Sequence, residues 1–222
     1  MNWQSEFNKR LLSPEAAVQL VHSGDRVYIP IYPHPDLLIR ALAARRLELS
    51  KVQIICDAPV FDPGWFDPEW STSFTVVIEQ ILGDLGRWAL DQHIVDYIPM
   101  IFSTQFKRYL TDYGDIAPID VLLVVMSPPD RNGYCSFGGH LWNKRSFVKR
   151  AKKVIAQVDK SQIRTYGQNY VHVSEIDNFV ENCPAQLLDS EIAQLINSVD
   201  DELLRSELNL IIPQMDPREQ TE

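Results

Sequence analysis

The chain has 222 residues, 45% hydrophobic and 23% charged, enough to bury the core of one domain or slightly more. Its 30 acidic against 21 basic residues leave a formal charge of −9, which excludes a nucleic-acid surface built on clustered cations. No apolar run approaches the roughly 18 residues of a membrane helix, and Met1-Asn2-Trp3-Gln4-Ser5-Glu6-Phe7 lacks the basic-then-apolar pattern of a signal peptide, so a cytoplasmic protein without membrane contact is expected.

Residues 1–12 read as an N-terminal extension. Ser13-Pro14-Glu15 opens a helix, with Ser as N-cap, Pro at the first position and an acid at the positive end of the dipole. Gly24 ends it. Arg26 to Ile31 reads as a strand, Pro35 to Arg46 as a helix with Leu38, Leu42 and Leu49 inward, and Val52 to Cys56 as a second strand. Asp57 to Ser73 carries three prolines, Gly64 and the aromatics Phe61, Trp65, Phe66 and Trp70. It reads either as a packed surface loop or as a flap facing a substrate. Short strands are predicted at Phe74 to Ile78 and Tyr97 to Met100, around a helix from Leu85 to His93. A helix from Ser103 to Tyr113 then leads to the apolar strand Ile119 to Met126. Asn143 to Lys153 reads as a helix, Val154 to Val158 and Tyr170 to Val173 as strands, and Leu187 to Leu204 as a long amphipathic helix. The α/β domain spans residues 13–186, and 187–222 form a C-terminal helix and polar tail. Strands alternating with helices imply parallel pairing and right-handed crossovers.

Ile119 to Met126 is short, apolar and β-branched, the pattern of a strand buried on both faces. At its carboxyl end Ser127-Pro128-Pro129-Asp130-Arg131-Asn132-Gly133-Tyr134-Cys135-Ser136-Phe137-Gly138-Gly139 forces the backbone out of the sheet. Ligands of open α/β sheets bind at that end. The loop is therefore either a structural crossover or one wall of a binding site.

This loop resembles the acetyl-CoA hydrolase/transferase family, which includes 4-hydroxybutyrate and acetate CoA-transferases. The flanks agree in order and spacing from Ser23 to Glu181: Asp96-Tyr97-Ile98-Pro99-Met100, Ile119-Asp120-Val121, Ala151-Lys152-Lys153-Val154-Ile155-Ala156-Gln157-Val158, Arg164-Thr165-Tyr166-Gly167 and Val171-His172-Val173-Ser174-Glu175-Ile176-Asp177. The resemblance implies the family's first domain, an open, mostly parallel twisted sheet with helices on both faces. It also implies coenzyme A thioesters and small carboxylates as substrates. In the family a glutamate of the second domain attacks the acyl-CoA carbonyl; an acyl–glutamyl anhydride forms and becomes a glutamyl-CoA thioester, so that one difficult exchange becomes two easier ones. Glu191 to Ser198 resembles the helix opening that second half, but the glycine-rich strand does not follow, and no position here inherits the nucleophile's role. A partner chain carrying the second domain is then implied, or self-association. The other reading is a non-catalytic remnant or regulator that binds a CoA-transferase. A further departure is Ile29-Pro30-Ile31-Tyr32-Pro33-His34-Pro35, glycine-free where relatives carry glycines; Asp159 and Ile163 stand where relatives have Asn and often Pro.

The resemblance points to Ser127, Pro128, Asp130, Gly133, Tyr134 and Ser136 as substrate or coenzyme A contacts, with no catalytic residue and no metal ligand on this chain. Asp130 either faces the cleft or caps the following turn. Ser136 either donates to a thioester or pantetheine oxygen or stabilises its turn. Tyr134 packs on the pantetheine arm or on the core. Cys135 with His140 admits a thiol-hydrolase reading that lacks an orienting third group. Cys56, Cys135 and Cys183 are too scattered for a metal site or disulfide framework, and the remaining histidines lack ligand spacing. The basic block Lys144, Arg145, Lys149, Arg150, Lys152 and Lys153 reads as a solvated helix face, or as an attraction for the phosphates of coenzyme A.

Overall fold

The structure, a computed structural model, describes residues 2–109, 118–165 and 167–181. The strands in chain order are β1 (Arg26–Ile29), β2 (Val52–Cys56), β3 (Phe74–Glu79), β4 (Asp96–Ile98), β5 (Val121–Met126), β6 (Tyr134–Ser136), β7 (Lys153–Val158), β8 (Tyr170–His172) and β9 (Asn178–Glu181). Seven of them form one parallel sheet in the order β4-β3-β2-β1-β5-β7-β9, while β6 and β8 pair antiparallel beside it. The chain starts at the centre, steps outward through β2 and β3 to β4, then returns to the other side of β1 and continues through β5 and β7 to β9. The winding reverses between β1 and β5, where Val27 pairs with Val121 and Tyr28 with Leu122.

The strands are β-branched because both sheet faces are covered, and side chains alternate between them. Val27, Ile29, Ile54, Val76, Val121 and Leu123 pack on one face with the helices α2 (Pro14–Ala17), α3 (Asp36–Ala44) and α4 (Gly83–Asp91). Tyr28, Ile55, Leu122, Val124 and Met126 pack on the other with Phe7 and Phe147. Those two phenylalanines come from α1 (Trp3–Arg10) and α6 (Lys144–Val148); α5 (Phe102–Arg108) lies between β4 and β5 in sequence. Ser13 caps α2 as expected, its Oγ accepting from the Ala16 amide at 3.2 Å. Leu38, Leu42 and Leu49 are buried as expected.

Several elements differ from the sequence reading. The helix expected from Asn143 to Lys153 stops at Val148, because Lys153 already pairs with Val121 in the sheet. Tyr170 to His172 is a strand, but it leaves the main sheet to pair with β6. α1 is a helix with a single buried residue, Phe7, too weakly periodic to be read in advance. Its Phe7 ring packs on Phe179 of β9 at 4.7 Å. The aromatic segment 57–73 is a packed loop, with Trp65 and Phe66 buried in the core. The helix predicted from Leu187 to Leu204 lies outside the described residues.

Candidate functional site

Because the winding reverses between β1 and β5, the loops leaving their carboxyl ends diverge and open a crevice. Residues 30–35 follow β1 and residues 127–133 follow β5. Beside them, Asp57 directly follows β2 and Glu79 ends β3, each 2% exposed. Ala58 and Gln80, just beyond, hold positive φ of 45° and 61°, a conformation disfavoured for residues with a Cβ. Strain of this kind gathers at functional sites.

A buried polar cluster lies under the crevice. Gln105 of α5 places its Nε2 3.0 Å from Glu79 Oε2, 3.1 Å from Asp57 Oδ2 and 2.6 Å from the Tyr28 hydroxyl. Tyr28 donates to Asp57 Oδ2 at 3.1 Å, and Tyr109 donates to Glu79 Oε1 at 2.7 Å. Burial pushes the Asp57 carboxyl up to about 7; the hydrogen bond from Gln105 opposes this, and the Glu79 charge adds to it. Burial, followed by the Asp57 and Glu79 charges, raises the Tyr28 hydroxyl well above its usual range. Asp57 is therefore a buried acid that exchanges its proton near neutrality, a property that clusters at functional sites. His34 joins from the β1 loop, its Nε2 3.1 Å from the Asp57 carbonyl oxygen. Burial is the main cause of its lowered pKa.

The cleft above is lined by Tyr28, Ile31, Phe102, Trp142, Lys144 and Phe147, among others. Phe102 and Trp142 stack at 4.5 Å and form its outer wall. Tyr32, Ile101, Leu141 and Trp142 form an exposed apolar rim, with Ile101 70% exposed. Lys144 corrects the expectation of a solvated helix face: it is 1% exposed, and its Nζ donates to the Tyr32 carbonyl at 3.1 Å. The rest of the basic block behaves as predicted for a surface, with Lys149, Arg150 and Lys152 exposed and Arg145 and Lys153 half-buried.

The residues singled out in the loop after β5 are brought together around Arg164. Its guanidinium donates to Ser127 Oγ and the Pro128 carbonyl, both at 2.9 Å, to Asp130 Oδ2 at 3.2 Å and to the Tyr134 carbonyl at 2.9 Å. Asp130 Oδ1 accepts from the amides of Asn132 and Tyr134 at 2.8 and 3.0 Å, so this carboxylate closes its own turn. Partial burial raises its pKa, but those amides and Arg164 outweigh that and hold it below the usual carboxylate range. Gly133 has φ +82°, and a Cβ there would meet Trp3 Cγ at 2.8 Å and His172 Nε2 at 2.9 Å. Ser136 is fully buried, its Oγ accepting from the Gly138 amide and Asn169 Nδ2, both at 3.2 Å. Tyr134 is exposed rather than in the core, its ring edge-on to His172 at 5.0 Å.

Cys135 is fully buried, and burial pushes its thiol up to about 12. His140 instead contacts the ring of Tyr32 at 5.1 Å. A thiolate nucleophile activated by His140 is not assembled here. Among the described residues, no cluster of His, Cys, Asp and Glu has metal-holding geometry, and no helix is long and apolar enough to cross a membrane. Asp57, Glu79 and Gln105 escaped the sequence reading, and Lys144 was read only as one of a basic block; the position of the first two at predicted strand ends could have marked them.

Comparison with known proteins is consistent with this geometry. Residues 1–186 match the family model for the acetyl-CoA hydrolase/transferase N-terminal domain. A succinyl-CoA:cyclohexane-1-carboxylate CoA transferase of Geobacter metallireducens is 33% identical over 81% of this chain. The chain spans 40–42% of the length of two curated CoA-transferases that it matches. RipA from Yersinia pestis has the same fold, with TM-score 0.72 at 21% identity over 82% of this chain and 44% of RipA. A chain of the decarboxylase AibA/AibB superposes with TM-score 0.54 at 15% identity, over 92% of this chain and 98% of its own length.

Proposed function

Because the chain belongs to the acetyl-CoA hydrolase/transferase family through its N-terminal domain, we propose that it is one half of an acyl-CoA:carboxylate CoA-transferase or acetyl-CoA hydrolase. It shapes the acyl-CoA site, and a partner chain supplies the catalytic glutamate. The observation that carries this reading is the crevice at the β1/β5 reversal, with a buried acid cluster beneath it and an exposed apolar rim around it. A rim of this kind is expected where a second body closes a site. A single chain of matching extent in AibA/AibB supports the idea that such a half exists as a separate polypeptide.

In this reading the partner's carboxylate attacks the acyl carbonyl, the C–S bond breaks and coenzyme A leaves as thiolate. The thiolate then attacks the glutamyl carbonyl of the anhydride and releases the acid. This chain walls the cleft and keeps water from the anhydride. Pro128, Asp130, Gly133 and Tyr134 flank the entrance for coenzyme A, while Ser127 and Ser136 hold that wall in shape through Arg164, Gly138 and Asn169. The cell compartment expected from the sequence, the cytoplasm, suits a thioester pool of this kind.

The test is to mix the protein with a candidate partner carrying the second domain and assay exchange of labelled acetate into acetyl-CoA. Exchange that needs both chains, with co-elution on a sizing column, is the expected result. Turnover by this chain alone, or neither exchange nor complex with any partner, overturns it; the latter favours a non-catalytic remnant.

A further inference from the structure

We propose that Lys144 is one half of an ion pair across a subunit interface: the partner chain inserts an aspartate or glutamate oxygen into the cleft, and the apolar rim seals around it. This rests on the reading in which a second chain closes this site. The first support is a missing counter-charge. Lys144 is 1% exposed, yet its only hydrogen bond among the described residues is to the Tyr32 carbonyl at 3.1 Å. It stands in no ion pair there. Asp57, the other charged side chain of the cleft lining, is already engaged with Gln105 and Tyr28. An ammonium group has three donors, and buried lysines are almost always paired. Two N–H groups are thus left at the wall of a cleft without a protein acceptor.

The second support is size. The cleft beside this amine has room for about one water molecule. That admits one carboxylate oxygen arriving from outside and no free ligand of any length. It also leaves no space for a thioester beside that oxygen, so the inserted carboxylate is an anchor, distinct from the nucleophilic glutamate. The third support is the surround. Phe102 and Trp142 wall the cleft, and Tyr32 supplies the carbonyl that holds Lys144. The side chains of Tyr32 and Trp142 are exposed, as are those of Ile101 and Leu141, next in sequence to the two wall residues. Trp142 keeps its place at a strained φ of +32°. A charge to be desolvated inside a ring of apolar contacts is the layout of an interface hot spot, because the ring excludes water from the pair. Relatives carry more than half their length beyond the part matched here, a body large enough to cover this face.

The experiment is calorimetric titration of the whole protein near neutral pH with the second-domain chain that co-elutes with it. Removing one member of a buried, hydrogen-bonded charge pair strands the other, which costs at least about 30-fold in affinity. Lys144→Met is expected to weaken the complex by that factor. Each acidic residue of the partner chain other than its nucleophile is then changed to the amide. One such variant should weaken binding to the wild type as strongly, yet have little further effect on Lys144→Met, the signature of a direct pair. The amide scan against the wild type needs no variant of this chain. If no amide variant weakens binding by more than about threefold, the proposal is overturned. Lys144→Met binding as tightly as the wild type overturns it too, because water then satisfies the amine. In both cases a wild-type complex that still exchanges acetate leaves the partner reading standing. No wild-type complex with a chain carrying the second domain fells that reading, and this inference with it.

Discussion

Lys144→Met keeps much of the length and volume of the side chain and removes its charge, and the expected outcome is a more stable protein near pH 7. Burial holds the Lys144 amine down at about 7 against an ordinary value of 10.5. At 1.36 kcal/mol per pH unit, that interval places about 5 kcal/mol against the charged amine in the folded state. The cleft is open and relaxes, so a measured gain of about 2–4 kcal/mol is reasonable. The sign follows from proton binding. Between about pH 7 and 10.5 the unfolded chain keeps the Lys144 proton while the folded protein has released it. The unfolded state therefore binds more protons, and stability rises with pH across that window. Guanidinium unfolding of both proteins near pH 7 and near pH 10 provides the assay. The variant's advantage should be largest near neutrality and shrink toward pH 10, other titrations cancelling in the difference. A Lys144→Met protein less stable than wild type near pH 7 would refute the reasoning, because it would mean that the charged amine is well paired when folded.

Asp57 runs the other way: its unfolded carboxyl ionises near 3.8 and its folded one at about 7, so stability falls as pH rises through that window. Asp57→Asn, followed by urea unfolding from about pH 4 to 7, should flatten a decline of about 2–4 kcal/mol. Gly133→Ala should cost about 1–3 kcal/mol in thermal unfolding, because its φ of +82° and the Trp3 and His172 contacts both resist a methyl group. Arg164→Met should cost only about 1–2 kcal/mol, since the site is part-exposed, yet it should speed amide exchange selectively at residues 127–136. Phe7→Ala should cost about 3 kcal/mol by loss of a core ring against Phe179.

The sheet was legible because β1, β2, β3, β5 and β7 are β-branched runs bounded by turn residues, which is what burial on both faces demands. The strand β9 was not, since Asn178-Phe179-Val180-Glu181 offers only two apolar residues and is a strand by virtue of pairing with Ile155 to Val158. The loop after β5 could be read as a feature at a strand's carboxyl end, but its internal wiring to Arg164 spans 30 to 37 residues of chain and leaves no local pattern. Lys144 shows the limit most clearly. In a row of six basic residues nothing marks the one that turns inward; burial is decided by Phe102, Trp142 and Phe147, which reach it from other parts of the fold and of its own helix.

Where α1 and its following residues dock has a bearing on how the polypeptide reaches its native state. The Leu12 amide donates to the Phe179 carbonyl at 2.8 Å, and Arg10 donates to the carbonyls of Val173 and Ile176. During synthesis α1 precedes its dock, β9, the last described strand, by more than 160 residues. Local contacts cannot hold α1 in the interim, because only Phe7 of it is buried, and against Phe179. Closure must wait for a loop of more than 160 residues to be threaded, the kind of long-range step that makes assembly slow. Until then the outer margin of the sheet stays open to strands of neighbouring chains.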